Sequence, residues 1–157
     1  MFAKGGFPLL ENQAISALKE FINKVECILT PNIPEAETLS GLKISIKNGK
    51  IKAAKTIKIN GTSRILLKGG HLNETDLCDI LYDKNNLYEF YSKKIDTKNT
   101  HGTGCTISSA IAANLSKGLS LYESVSIAHK YVNKSILKAP NLGSSHGPLN
   151  HFHGIQD

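Results

Sequence analysis

Apolar residues at Leu10, Ala14, Ala17, Leu18, Phe21 and Val25 recur at three- and four-residue intervals, which predicts an amphipathic helix from about Leu9 to Val25. The pattern then changes. Cys27-Ile28-Leu29-Thr30 is a short apolar run, read as a buried strand that Pro31 and Pro34 stop. Pro34 suits the first turn of a helix, Glu35 faces the positive end of its dipole, and Gly41 is placed to close it. A further helix over Ile46 to Ile59 ends at Asn60-Gly61, with Gly49 inside it at a cost of about 1 kcal/mol relative to Ala. Ile65-Leu66-Leu67 reads as a compact strand ended by Lys68-Gly69-Gly70. Two runs, Cys78 to Tyr82 and Leu87 to Tyr91, flank Asp83-Lys84-Asn85-Asn86 and predict an antiparallel hairpin. A loop over Asn99 to Gly104 leads into a helix from Cys105 to Lys117, closed by Gly118. Ser120-Leu121-Tyr122-Glu123 is a capping box that opens a last helix to about Leu137. From Pro140 onward Gly, Ser, Asn and His dominate, as in a loop or frayed end.

Helix and strand alternate, so the expected class is α/β, with a mostly parallel sheet flanked by helices. No repeat or linker divides the 157 residues, which read as part of one domain with a loop-like tail from about 140 to 157.

Composition changes this picture little: 40% apolar and 20% charged residues are ordinary for a globular protein. No apolar run approaches the roughly 20 residues of a membrane span. Met1-Phe2-Ala3-Lys4-Gly5-Gly6 has no apolar secretory stretch, so the cytoplasm is the expected location. The formal charge of +6 comes from Lys scattered along the chain, as in Lys47 to Lys58 and Lys93 to Lys98. Without a dense block it reads as a solvated surface that favours small anionic substrates, with neither nucleic acid nor membrane as partner. Cys27, Cys78 and Cys105 are far apart and form no CxxC pair, which argues against a disulfide framework or structural zinc.

Candidate chemistry concentrates in three segments. In Asn99-Thr100-His101-Gly102-Thr103-Gly104-Cys105-Thr106 two glycines run into a helix start, where free N–H groups and the dipole bind an anion such as phosphate. Such a turn is also a common tight corner. A first-turn thiol such as Cys105 has its thiolate favoured by the dipole and is able to take a proton from an attacking hydroxyl; the alternative is a small packing residue. In Asn32-Ile33-Pro34-Glu35 a carboxylate beside an amide suits an outer-shell magnesium arrangement, and equally an ordinary helix cap. Lys68-Gly69-Gly70-His71, at a strand end, either lets a nucleotide approach the backbone or is a plain turn. His151 and His153, with no third ligand nearby, read as solvated.

Together, residues 30–37, 67–71 and 99–106 with Ser108-Ser109-Ala110-Ile111-Ala112, and the ending Gly147-Pro148-Leu149-Asn150-His151-Phe152, resemble the motif series of phosphomethylpyrimidine kinases in order and spacing. The resemblance implies a ribokinase-like fold that uses Mg and ATP to phosphorylate 4-amino-5-hydroxymethyl-2-methylpyrimidine and its monophosphate for thiamine diphosphate. It implies Cys105 as base, Gly102, Thr103 and Gly104 as anion hole, and Lys68, Gly69 and Gly70 near the nucleotide. Asn32 and Glu35 match an NxxE motif that organises magnesium and phosphate. Sugar kinases of the superfamily carry Asp at the position of Cys105, so the Cys favours the pyrimidine and pyridoxal-type branch, with pyridoxal kinase the enzymatic alternative.

Met1 to Gly6 resembles the middle of the family's pattern, which implies that the N-terminal strands and most of the pyrimidine pocket lie outside this chain. A separately encoded N-terminal half is then an expected partner, and a homodimer is also compatible. An inactive remnant and a nucleotide-binding module without kinase activity are the non-enzymatic alternatives.

Overall fold

The computed structural model describes residues 11–59, 64–70 and 76–155. The readings at Met1 to Gly6, Leu9 and Leu10, Asn60-Gly61 and His71 lie outside them. The chain forms two compact units, residues 1–91 and 92–157.

Among the described residues the first unit begins with α1 (Asn12–Ile22), whose core-facing stripe is Ile15, Leu18 and Ile22, continued by Val25. Ala14, Ala17 and Phe21, expected on that stripe, are exposed. The stripe lies one position further along, at spacings of three and four that a 3.6-residue period keeps on one side. β1 (Ile28–Leu29) leads into α2 (Ile33–Ser40), which Gly41 ends in the left-handed conformation at φ 73°. That conformation costs a residue with a Cβ about 1 kcal/mol or more. α3 (Lys47–Ile59) buries Lys50, Ala53, Ala54 and Ile57 along one side and tolerates Gly49. Ala36, Leu39, Ala53, Ala54, Ile57, Ile65 and Leu67 share one buried apolar cluster with Ile22, Ile33 and Ile44.

The sheet runs β1, β2 (Arg64–Leu67), β3 (Asp76–Asp83), β4 (Asn86–Lys93) in order. β1 and β2 are parallel, with Ile28 opposite Arg64 and Leu29 opposite Ile65. β2 and β3 are antiparallel, with Arg64 opposite Asp83 and Leu67 opposite Ile80. Among the described residues the sheet is therefore mixed. Connection length explains it. The α2–α3 crossover joins a parallel pair, whereas residues 68–75 are too few for a crossover, and the two-residue turn at Lys84-Asn85 joins only antiparallel neighbours. Lys84 takes φ 53° in that turn.

The second unit is built on α4 (Thr103–Ser116) and α5 (Leu121–Leu137), which pack on each other through buried Ile107 and Ile111 and buried Leu121, Val125, Ala128 and Val132. The capping box read at Ser120 is present: its hydroxyl accepts from the Glu123 N–H at 3.3 Å, and Glu123 accepts from the Ser120 N–H at 3.0 Å. Beyond Leu137 the described residues form no helix or strand, yet Leu149 and His153 are buried. No helix among the described residues is long and apolar enough to cross a membrane.

Candidate active site

Two of the three segments meet in the first unit. β1 and β2 run parallel, so the segments after the two strands emerge at the same edge of the sheet. The Lys68 N–H donates to the Pro31 carbonyl at 3.0 Å, which sets Lys68-Gly69-Gly70 beside Asn32. The crevice at the carboxyl ends of parallel strands is where α/β folds bind ligands.

Asn32 caps α2. Its Oδ1 accepts from the Glu35 N–H at 2.9 Å, and a Glu35 carboxylate oxygen accepts from the Asn32 N–H at 3.0 Å. This reciprocal pair satisfies two backbone donors that a helix start leaves open. It also fixes one amide and one carboxylate at the sheet edge.

The two glycines after β2 have different surroundings. A Cβ on Gly69 would fall on the Cys78 backbone, 2.8 Å from its carbonyl carbon, and the Gly69 N–H donates to Asp79 Oδ1 at 2.7 Å. The missing side chain at Gly69 is therefore what lets β3 approach. Gly70 is exposed with open space around it, so a ligand has access to backbone there.

The third segment is formed by the second unit. Gly102 is the N-cap of α4 at φ 83°, with Thr103, Gly104 and Cys105 as the first three helical residues, so the helix begins two residues before the start at Cys105 expected from the sequence. No side chain caps this helix, and no acidic residue occupies its first turn. The first regular bond runs from the Thr106 N–H to the Gly102 carbonyl at 2.9 Å, so the N–H groups of Thr103 to Cys105 precede the intrahelical ladder. The hydroxyls that would compete for them turn away: Thr103 donates to the Thr100 carbonyl at 2.7 Å and Thr106 to the Gly102 carbonyl at 2.8 Å. The result is a set of backbone donors at the positive end of a 14-residue helix.

Cys105 is exposed, while Cys78 is buried and Cys27 half-buried. Its thiol opens on a groove of about 500 Å³ between α4 and α5, lined also by Ser109, Ala113, Ile127, Tyr131 and His151. The small side chains of Ser109, Ala110 and Ala113 thus form part of one wall. His151 is exposed, whereas the His153 ring packs against the Tyr131 ring at 4.8 Å and is buried. Among the described residues no group of three His, Cys, Asp or Glu is placed to hold a metal ion.

Sequence reasoning missed Lys50 and Asp79. Lys50 sits within a run of lysines, but its side chain is fully buried. Asp79 lies on a strand face, and nothing local marks it as the partner of the Gly69 N–H.

A family model described as phosphomethylpyrimidine kinase matches residues 1–150. The chain is 45% identical to the thiamine biosynthesis bifunctional protein ThiED of Geobacter sulfurreducens over 157 residues, all of this chain and 32% of that protein. It is 39% identical to the hydroxymethylpyrimidine/phosphomethylpyrimidine kinase of Bacillus subtilis over 153 residues, 97% of this chain and 56% of that one. The chain thus spans only part of the length of these relatives. Among solved structures, a pyridoxal kinase of Bacillus subtilis in an ADP complex superposes with TM-score 0.88 at 32% identity, covering 96% of this chain and 59% of that one. The phosphomethylpyrimidine kinase of Clostridium difficile superposes with TM-score 0.73 at 34% identity, covering 87% and 54%. The fold is ribokinase-like, as the motif series implied. By sequence over nearly its whole length, this chain belongs to the phosphomethylpyrimidine kinase family.

Proposed function

We propose that the chain carries the phosphoryl-transfer machinery of a kinase that uses ATP to phosphorylate 4-amino-5-hydroxymethyl-2-methylpyrimidine and its monophosphate in thiamine diphosphate biosynthesis. One observation carries the reading: an exposed thiol stands in the same helical turn as three backbone N–H groups that no side chain caps.

In phosphoryl transfer the protein mainly positions the reactants and stabilises charge on the moving group. The Cys105 thiolate takes the proton of the pyrimidine hydroxymethyl group as that oxygen attacks the γ-phosphorus of ATP. A new O–P bond forms, the bond to the β-phosphate bridging oxygen breaks, and ADP departs with the electron pair. The N–H groups of Thr103, Gly104 and Cys105, with Gly102 shaping the turn, hold the negative charge spread over the transferred oxygens. Lys68, Gly69 and Gly70 lie near the nucleotide; Gly70 leaves its backbone open, and Gly69 holds the turn against β3.

Magnesium fits an outer-shell role here. The ion keeps several waters and needs few protein ligands besides nucleotide phosphates. Asn32 and Glu35 offer one amide and one carboxylate that the capping box already orients, enough to position such waters. When bound, the ion neutralises phosphate charge.

Pyridoxal is the second candidate acceptor, because the superposition on a pyridoxal kinase has a TM-score of 0.88. The deciding experiment measures ADP release with the pyrimidine or pyridoxal as acceptor, for the parent chain and Cys105→Ala. Pyrimidine-dependent release that the substitution removes supports the proposal. Release with pyridoxal alone transfers it to that substrate. A folded chain stabilised by ATP without acceptor-dependent release is a nucleotide-binding module, and a chain without cooperative unfolding or response to ATP is an inactive remnant.

A further inference from the structure

The tail that the sequence marks only by its Gly, Ser, Asn and His content is bonded on two sides. Towards the loop before α4, the His101 N–H donates to the Gly147 carbonyl at 3.2 Å, and His101 and Pro148 pair as an isolated parallel bridge. The Lys98 ammonium donates to the Ser144 carbonyl at 3.5 Å, and a ring nitrogen of His146 lies 3.3 Å from the Lys98 carbonyl. Asn99, 1% exposed, donates its side-chain amide to Asn141 Oδ1. Towards α5, the Asn150 N–H donates to the Ser135 carbonyl at 3.0 Å and the Tyr131 hydroxyl to the His151 carbonyl at 2.9 Å. His153 Nε2 lies 3.2 Å from the Tyr131 carbonyl.

Gly147 is where the two strands of this contact touch. A Cβ there would stand 2.9 Å from the Leu142 carbonyl oxygen and 3.0 Å from Asn99 Cγ, and closer still to Asn99 Oδ1. Neither neighbour is free to give way, since one is backbone and the other a buried side chain held by Asn141. Three residues beyond Asn99 stands Gly102, whose φ of 83° lies in a region where glycine is least restrained by its own sterics. Neither a side-chain cap nor a first-turn carboxylate fixes the start of α4. The Thr103 and Thr106 hydroxyls bond the turn to its own carbonyls, and the tail adds restraint from outside it.

We infer that residues 141–153 form a clasp, anchored on α5, that positions the loop at residues 98–101 and through it the start of α4, with Asn99 and Gly147 as positioning residues. The consequence for turnover rests on reading the turn at residues 102–105 as the anion hole; the clasp itself does not. Backbone donors act on a transition state only when held within a fraction of an ångström, so slack in this loop lowers kcat more than it weakens binding.

The test follows amide hydrogen exchange residue by residue in the full chain, for the parent, Gly147→Ala and Asn141→Ala. In Gly147→Ala the amides of His101 and Thr106 exchange about tenfold or more faster, while α5 amides from Ser124 to Ser135 stay within about twofold. Asn141→Ala adds no atoms and shifts the same two amides in the same direction by a smaller factor. Unchanged loop amides, or α5 amides rising by the same factor, overturn the clasp. In ATP turnover with the pyrimidine acceptor, Gly147→Ala lowers kcat about tenfold with KM for ATP within about twofold. A parent chain without turnover counts against the kinase reading, while the exchange data still decide the clasp.

Discussion

The Lys50 side chain is fully buried in α3 and its ammonium donates to the carbonyl of Cys78 on β3 at 3.1 Å. That carbonyl is the group that a Cβ on Gly69 would strike. One buried lysine therefore ties the helix to the strand at the point where the turn after β2 crosses it. Lys50→Met keeps the stem and removes the donor, and is expected to cost about 1–3 kcal/mol through the unpaired carbonyl. Lys50→Ala also opens a cavity and should cost about 1 kcal/mol or more beyond that. Urea unfolding of both variants measures the difference. Equal stability of Lys50→Met and the parent would show that the bond contributes nothing net.

Gly69 and Gly70 are adjacent and their substitutions should differ in kind. Gly69→Ala forces a Cβ onto the Cys78 backbone and is expected to destabilise by about 2 kcal/mol or more. Gly70→Ala meets nothing within 4 Å and should leave stability within about 0.5 kcal/mol. If the nucleotide passes over this turn, Gly70→Ala weakens ATP binding in a fully folded protein. Thermal unfolding with and without ATP separates the two effects. An ATP response in Gly70→Ala equal to that of the parent removes this turn from the nucleotide site.

The features legible in the sequence are local ones. The Ser120–Glu123 box, the Asn32 cap, the Gly41 and Gly102 turns and the hairpin around Lys84-Asn85 each depend on residues within about four positions of one another. α1 shows where local reading fails. Ala14, Ala17 and Phe21 fit a helical period, but which of two neighbouring stripes faces the core is decided by what packs there, and Ile22 rather than Phe21 is buried. Lys50 is lost in a lysine-rich stretch because its acceptor is 28 residues away. The tail is legible as turn-rich and illegible as a clasp, since its partners at residues 98–101 and on α5 come from far along the chain. Of the three motif segments, the local cap at Asn32 and the glycine-opened start of α4 are readable, whereas the division of labour between Gly69 and Gly70 requires β3.

Stability should fall on the acid side through three carboxylates. The Ile44 N–H holds the Glu37 carboxyl below its ordinary value of 4.5, the Lys47 ammonium does the same for Glu89, and the Ser120 hydroxyl for Glu123. A carboxyl whose value is lowered by folding adds stability above its unfolded pKa and loses it as pH falls through the folded one. Lys47 is shifted the other way, upward, first by its hydrogen bond to Glu89 at 2.6 Å and then by Tyr91. Its contribution is complete below its ordinary 10.5 and is lost as pH rises through the elevated value. The expected profile is a plateau between these limits. Glu89→Gln should flatten both limbs, because it removes the lowered carboxylate and the main partner of Lys47 together. Urea midpoints measured from about pH 3 to 11 test this. A variant that keeps the parent's slope on both sides contradicts the pairing.

Glu35 allows the cap and the proposed magnesium role to be separated. Gln at the third helical position also completes a capping box, so Glu35→Gln retains an acceptor for the Asn32 N–H while losing the charge. Asn32→Ala removes the acceptor for the Glu35 N–H and is expected to cost about 1 kcal/mol. Glu35→Gln should stay within about 0.5 kcal/mol of the parent, apart from a weaker interaction with the helix dipole. If Glu35 only caps α2, the magnesium dependence of turnover in Glu35→Gln matches that of the parent. If its carboxylate orients water around the ion, more magnesium is needed for half-maximal rate, at unchanged stability. Titrating magnesium at saturating ATP, alongside urea unfolding of the same preparations, distinguishes the two, because a purely structural defect moves the unfolding midpoint and leaves the magnesium requirement where it was.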